Sequence, residues 1–250
     1  MKSPKVKESV FRFKEFSVSN RYSAMKVGTD GVLLGAWALL DTDIIPGNIV
    51  DAGTGTGVIA LLMAQRFAEA DIQGIEIDTT ASQEAAVNFG DSPWGERLRC
   101  LNESFDEFCQ SCEPGKIDLL ISNPPFFRNG PDTMGGSRYL ARQEGSLSPV
   151  ALIRMAPSLL SSRGRLCFIS TEESRSTIEF EAELGGLVLE RRTAVATGEG
   201  KTPRRILWQF ARKGTPVTTV TDNLLTIRLK GGDPTPEYFR LVEPYYLYVK

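Results

Sequence analysis

Histidine is absent from the 250 residues. That excludes a Ser-His-Asp triad, a Cys-His dyad and any histidine metal site. It also removes the one side chain that ordinarily titrates near neutral pH. What remains is carboxylate, lysine, amide or cofactor chemistry. Cysteine is scarce, with four residues, too few for a disulfide framework, so a reducing cytoplasm is the expected compartment. No stretch approaches the roughly 20 apolar residues of a membrane span. The opening MKSPKVKESVFRFKEF lacks the apolar centre of a secretory leader, so none is expected. Excess positive charge is missing too: the net charge is −2, and any nucleic-acid surface must be a local patch.

What is present alternates between strand and helix patterns. Residues 1–20 interleave basic residues with Phe11, Phe13 and Phe16. An apolar run at helical spacing follows Asp30 and Gly31. Asn48–Ala52 has the pattern of a buried strand, then come three glycines and the helical stretch VIALLMAQRFA. Further strands are expected at Ile72–Ile77, Arg97–Leu101 and Ile117–Ser122, with a helix from Thr79–Thr80. Asn123–Ser148 is long, polar and rich in glycine and proline, as functional or disordered loops are. Beyond it the pattern gives a helix (Val150–Leu160), a turn at Arg163–Gly164, a strand (Arg165–Ile169), a helix (Thr171–Leu184) and three strand-like segments (Leu187–Ala196, Arg204–Ala211, Leu224–Leu229). Alternating strands and helices imply a parallel sheet covered on both faces. The late strands imply an antiparallel C-terminal edge. The tyrosine-bearing tail, Pro234–Lys250, is a candidate to pack back on the body.

Two motifs carry chemistry. Asp51-Ala-Gly53-Thr-Gly55-Thr-Gly57 joins the first strand to a helix, and glycines there allow backbone to approach a ligand closely. A dinucleotide fingerprint is G-x-G-x-x-G; here the spacing is G-x-G-x-G, preceded by an acid. A pyrophosphate would be repelled by Asp51, whereas an ammonium group would be held. The pattern therefore points to an amino acid-bearing nucleoside such as S-adenosylmethionine. A turn used only for helix–strand packing is the plain alternative. Glu76, 23 residues beyond Gly53 at the end of the next strand, is the candidate for the ribose hydroxyls. Asp78 competes for that role, or simply starts the next helix.

The second motif, Asn123-Pro124-Pro125-Phe126, follows the Ile117–Ser122 strand, at the edge where open sheets bind ligands. Two prolines make a rigid extended turn and remove two backbone donors. That leaves acceptors, the Asn123 side-chain oxygen and the Pro124 carbonyl, which suit the two N–H groups of a planar amino or amide nitrogen. Such hydrogen bonds draw the nitrogen toward tetrahedral geometry and localise its lone pair. Phe126 is placed to stack on the substrate plane. No general base is needed before transfer, in keeping with a chain lacking histidine.

In this order the two motifs resemble those of class I S-adenosylmethionine-dependent amino-methyltransferases. Met25-Lys-Val-Gly-Thr-Asp30-Gly31-Val-Leu-Leu-Gly-Ala-Trp37 resembles the signature of the bacterial tRNA-valine adenine N6-methyltransferases, a likeness extending over nearly the whole chain through SPWGER and EPYYLY. The resemblance implies one Rossmann-like domain over 1–250 with a short N-terminal extension (about 1–30). It implies a seven-stranded, mostly parallel sheet, S-adenosylmethionine as cofactor and tRNA as partner, with no metal and no membrane. The implied activity is methylation of the exocyclic amino group of the adenosine beside the anticodon of a valine tRNA. Asp51, Gly53, Gly55 and Gly57 would then hold the methionine part and Glu76 the ribose. Lys26, Thr29 and Asp30 would close over the cofactor, and Asn123 to Phe126 would form the catalytic turn. Where the family usually has an aspartate for the cofactor's adenine, this chain has Ser104 and Phe105, with Asp106 two residues beyond the serine.

Arg128, Arg138, Arg142, Lys201, Arg204 and Arg205 are candidate RNA phosphate contacts, which Arg12, Lys14 and Arg21 would extend. Cys109-Gln-Ser-Cys112 has the spacing of half a zinc site, but no second pair exists, and two reduced thiols are the expectation. A protein-glutamine methyltransferase, whose similar turn handles an amide nitrogen, and a non-catalytic RNA-binding factor on the same fold are the alternatives.

Overall fold

The computed structural model describes residues 10–22, 26–125, 147–217 and 220–249. Its centre is an eight-stranded sheet of β3 (Asn48–Ala52), β4 (Asp71–Ile75), β5 (Leu98–Leu101), β6 (Ile117–Ser122), β7 (Leu160–Thr171), β8 (Leu187–Ala196), β9 (Arg205–Arg212) and β10 (Thr221–Thr226). The spatial order is β10-β8-β9-β7-β6-β3-β4-β5. Strands β3 and β6 are buried on both faces, which is why they are nearly continuous runs of apolar residues.

Three expectations are corrected here. Among the described residues the sheet has eight strands, not seven. Its antiparallel member, β9, is internal, because it pairs with β7 on one side and β8 on the other. The C-terminal edge strand β10 runs parallel to β8. The expected Arg163–Gly164 turn is absorbed into β7: the pairing with β6 shifts register between Ile117 and Leu119, and a Cβ on Gly164 would lie 2.6 Å from the Ile117 carbonyl. The irregularity keeps the strand continuous where the local sequence signals a break.

One face is covered by α1 (Thr29–Trp37), α2 (Val58–Arg66) and the helix Pro236–Val242, packed into one apolar cluster. The other face carries α4 (Phe105–Ser111) and the helices Pro149–Leu159 and Arg175–Leu184 over a second cluster, in which Phe168, Trp208 and Phe210 stack at 5.7–6.4 Å. Helix α3 (Thr79–Gly90) follows β4. The apolar run after Asp30 does not stay helical to its end: α1 stops at Trp37, and Leu39 and Asp41 take left-handed φ values of 54° and 57°. Its last carbonyls are capped by guanidinium groups, Arg66 on Gly35, Ala36 and Ala38, and Arg191 on Trp37.

The N-terminal aromatics belong to the core. A hairpin of β1 (Val10–Arg12) and β2 (Ser17–Ser19) buries Phe13, Phe16 and Val18. The tail closes over it: Tyr245 is buried and Tyr246 stacks on Phe13. Among described helices, none is long and apolar enough to cross a membrane.

Candidate functional site

The carboxyl ends of β3, β4 and β6 meet at one rim of the sheet. The glycine turn leaves β3 there and is fastened to β4, because the Gly53 and Thr54 N–H groups both donate to the Ile75 carbonyl, at 2.8 and 3.0 Å. Gly53, Gly55 and Gly57 have φ values of 68°, 56° and 82°, which L side chains rarely adopt. At Gly57, the N-cap of α2, a Cβ would fall 2.4 Å from the Phe89 ring. At Gly55 it would meet nothing within 4 Å, so this glycine borders open space. Gly74 on β4 was not singled out from sequence. A Cβ there would lie 2.8 Å from the Thr54 side chain, so it makes room for the turn.

That open space is a cavity of about 400 Å³, within the range of small-ligand sites. Lys26, Thr29, Asp30, Gly53, Gly55, Asn123, Pro124, Pro125 and Arg205 line it, nine of the residues named from sequence. Gly28, Gly31, Thr54, Thr56, Val58 and Ile59 line it as well; Thr54 and Thr56 belong to the glycine turn, Gly28 and Gly31 to the Met25–Trp37 segment, and Val58 and Ile59 open α2. Ser122 ties the end of β6 to β3 through a 2.7 Å hydrogen bond from its hydroxyl to the Ala52 carbonyl. Asn123 comes next. Its Oδ1 is buried and has no hydrogen-bond partner among the described residues.

Asp51 lies beneath the turn, fully buried. Its Oδ2 accepts from the Thr54 hydroxyl at 2.6 Å and the Ala60 N–H at 3.2 Å, while Oδ1 has no partner among the described residues. Burial pushes the carboxyl up to about 7 against these two hydrogen bonds, with Glu76 adding a smaller push. The folded protein thus holds a proton here that the unfolded chain releases near pH 4. Stability should therefore fall as pH rises from about 4 through 7, by an amount on the order of a few kcal/mol. Thermal melts at pH 5 and pH 8 should show this slope reduced in Asp51→Asn; an equal slope in both proteins would contradict the assignment.

Glu76 is half-buried and spans the loop: Oε2 accepts from the Gly55 N–H at 2.9 Å and Oε1 from the Asp78 N–H at 3.0 Å. Asp78 caps α3, accepting from the Ala81 N–H at 2.8 Å. Ser104 and Phe105 are used structurally. Ser104 forms a capping box with Glu107, accepting from its N–H and donating to its carboxylate at 2.7 Å, and Phe105 is buried in the second cluster.

The candidate RNA contacts separate. Lys201 and Arg204 are exposed on the β8–β9 connection. Arg205 lies on the cavity wall and donates to Asp30 at 2.9 Å, so it is not an open phosphate contact. Phe126, Arg128, Arg138 and Arg142 lie outside the described residues. So does the Asn129–Ser148 loop, apart from Leu147, which abuts Gly53, and Ser148, which caps the helix Pro149–Leu159. Lys14 is ion-paired with Glu243. Cys109 packs against the second cluster with its thiol pushed up to about 12 by burial, an unreactive environment.

The comparisons agree with this architecture. Residues 22–193 match the family model described as Methyltransferase small domain. The chain is 40% identical over 242 residues to a protein of Porphyromonas gingivalis named tRNA1(Val) (adenine(37)-N6)-methyltransferase, covering 95% of this chain and 94% of that one. It is 38% identical to the protein of the same name from Trichodesmium erythraeum, covering 95% and 97%. Among solved structures, a predicted O-methyltransferase from Agrobacterium tumefaciens aligns with a TM-score of 0.62 at 19% identity, covering 89% of this chain and 99% of that one. A putative transferase from Pyrococcus horikoshii aligns with a TM-score of 0.57 at 12% identity, covering 82% and 72%. These two share the fold. With a family model spanning most of the sheet, and relatives near 40% identity along nearly the whole chain, this protein belongs to the methyltransferase small domain family.

Proposed function

We propose that this protein is a cytoplasmic enzyme that transfers a methyl group from S-adenosylmethionine to the exocyclic N6 of an adenosine in tRNA, the adenosine beside the anticodon of a valine tRNA. The observation that carries the reading is Asn123 Oδ1, a buried acceptor without a partner among the described residues, on the wall of the cavity. The names of the relatives supply the nucleoside and the tRNA.

The residues present fit the cofactor. Gly55 borders open space. Asp51 Oδ1 is buried without a described partner, and the ligand carries an ammonium group. The glycine turn with Asp51 beneath it would hold the methionine part. Glu76 would take the ribose, since a carboxylate has about four acceptor sites and two are used here. Lys26, Thr29 and Asp30 would form the facing wall. Ser104, whose hydroxyl is engaged by Glu107, is not an adenine acceptor in this reading.

When bound, the cofactor supplies an electrophilic methyl on a sulfonium. Asn123 Oδ1 and the Pro124 carbonyl accept the two N–H groups of the target adenine. They hold its nitrogen toward the cavity and localise the lone pair that attacks. Placing acceptors where the nitrogen gains positive charge stabilises the transition state more than the ground state. The surplus proton then leaves to solvent. The target base must be unstacked to reach the cavity, at a cost of a few kcal/mol. Phosphate contacts offset this, and Lys201 and Arg204 remain candidates for them, with Arg128, Arg138 and Arg142 from the loop.

Glu76→Ala should weaken S-adenosylhomocysteine binding by about 1.5–3 kcal/mol, the scale of hydrogen bonds to a charged group. Asp78→Ala should instead cost about 1 kcal/mol of stability through the lost cap and leave the affinity unchanged. Calorimetric titration of both variants would settle which carboxylate serves the ribose; the reverse pattern would move the role to Asp78. The substrate class is tested by incubating the protein with labelled S-adenosylmethionine and cell extract. Label lost to RNase and kept after protease is expected. Label that survives RNase and is lost to protease would overturn the tRNA reading in favour of a protein substrate.

A further inference from the structure

Helix α3 grips both parts of the cavity wall through two side chains one turn apart. Asn88 is buried and its amide is engaged at both ends. Its Oδ1 accepts from the Ser19 N–H at 2.8 Å. Its Nδ2 donates to the Ser19 and Thr56 carbonyls, each at 2.9 Å. Ser19 ends β2, and Thr56 belongs to the glycine turn. Glu84, on the same face of the helix, is buried too. It accepts from the Ser19 hydroxyl and the Tyr22 N–H, both at 3.1 Å, and from the Arg21 N–H. Farther along the chain, the Lys26 ammonium donates to the Asn20 carbonyl. From Lys26 onward the same chain lines the cavity, through Thr29, Asp30 and Gly31.

Apolar packing alone would dock this N-terminal strap. Phe13, Phe16 and Val18 are buried in the first cluster, and Tyr246 stacks on Phe13. Burying a carboxylate and a primary amide is costly unless each is fully partnered. What they add is direction. Hydrophobic contact is non-directional, whereas an amide that reads both the N–H and the carbonyl of one residue fixes register. Because Asn88 also holds Thr56, one side chain sets the strap and the glycine turn relative to each other. Neither Asn88 nor Glu84 lines the cavity.

We propose that Asn88, supported by Glu84, is a positioning residue for the cofactor cavity: it aligns the wall that begins at Lys26 with the glycine turn. This rests on the cavity being the S-adenosylmethionine site. Asn88→Ala should raise the Kd for S-adenosylhomocysteine about tenfold, and Glu84→Gln about threefold, the scale of one or two net hydrogen bonds. In both, kcat at saturating cofactor should stay within about twofold of the unaltered protein, because the catalytic turn is untouched. Leu187→Ala, which truncates a buried residue of the second cluster, is the stability control: it should lower the melting temperature with no change in Kd.

Calorimetric titration and melting curves on the full chain read all three variants. An unaltered Kd in Asn88→Ala, or Kd rising in all three variants in step with lost stability, would overturn the proposal. If Asn88→Ala does not fold, Glu84→Gln decides, and an unchanged Kd there overturns it. No binding by the unaltered protein would instead sink the cofactor reading itself.

Discussion

Asn123→Ala should lower kcat by about 100-fold or more while S-adenosylhomocysteine affinity stays the same and thermal stability does not fall. The three parts have one origin. Asn123 Oδ1 is buried with no partner among the described residues, and a buried acceptor left in that state costs about 1–3 kcal/mol. Truncating it removes this cost, so the folded state should be unharmed or slightly more stable. In the proposed function the oxygen's partner would be the amino group that develops positive charge during transfer, so its loss would fall on the transition state and appear in kcat. Removing a single preorganised group of this kind costs about 10²–10³ in other enzymes. Cofactor affinity that collapsed with turnover intact would show the role to be misassigned. A large drop in melting temperature would mean that the oxygen has a structural partner.

Gly57→Ala should destabilise the fold by about 2–5 kcal/mol, more than Gly55→Ala, although both glycines have positive φ. The shared part is the left-handed backbone, which costs an L residue about 1–2 kcal/mol. The difference is what a Cβ meets. At Gly57 it would sit 2.4 Å from Cε1 and 3.0 Å from Cζ of Phe89, a ring that is 2% exposed and held in the first cluster. Close-packed rings do not yield cheaply, and such overpacking adds about 1–3 kcal/mol. At Gly55 the same methyl enters free space on the cavity wall. Gly55→Ala should therefore lose only the shared backbone cost of about 1–2 kcal/mol yet also lose affinity for S-adenosylhomocysteine, as the methyl occupies the cradle. Chemical denaturation of the two variants checks the contrast; equal stability losses would contradict it.

The parts that were legible in the sequence are those whose chemistry is local. Asp51 to Gly57 and Asn123 to Pro125 announce themselves by residue types that are costly elsewhere, namely glycines at positive φ and prolines that withhold donors. The structure brings Gly53 to Thr56 and Asn123 to Pro125 to one cavity. Strands β3 and β6 were legible because burial on both faces forces apolar runs. The order of the C-terminal strands was not. A hairpin at the edge and a strand inserted between two others have the same local pattern, and only long-range pairing decides that β9 lies between β7 and β8.

The same limit hid side chains whose partners are distant in sequence. Asn88 meets Ser19 and Thr56, and Arg205 meets Asp30. Nothing near them in sequence marks either contact. A serine before Phe105 and Asp106, such as Ser104, suits either a ligand contact or a helix cap. Glu107, three residues on, completes the capping box. The N-terminal phenylalanines alternate with basic residues, a local pattern that names no packing partner; the hairpin turns Phe13 and Phe16 into the core.

Nucleoside mass spectrometry of tRNA from cells with and without this protein tests the central claim most directly. N6-methyladenosine should be present in valine tRNA of the producing cells, absent when the protein is removed, and restored by the unaltered chain but not by Asn123→Ala. An N6-methyladenosine content that is the same in all four samples would contradict the account.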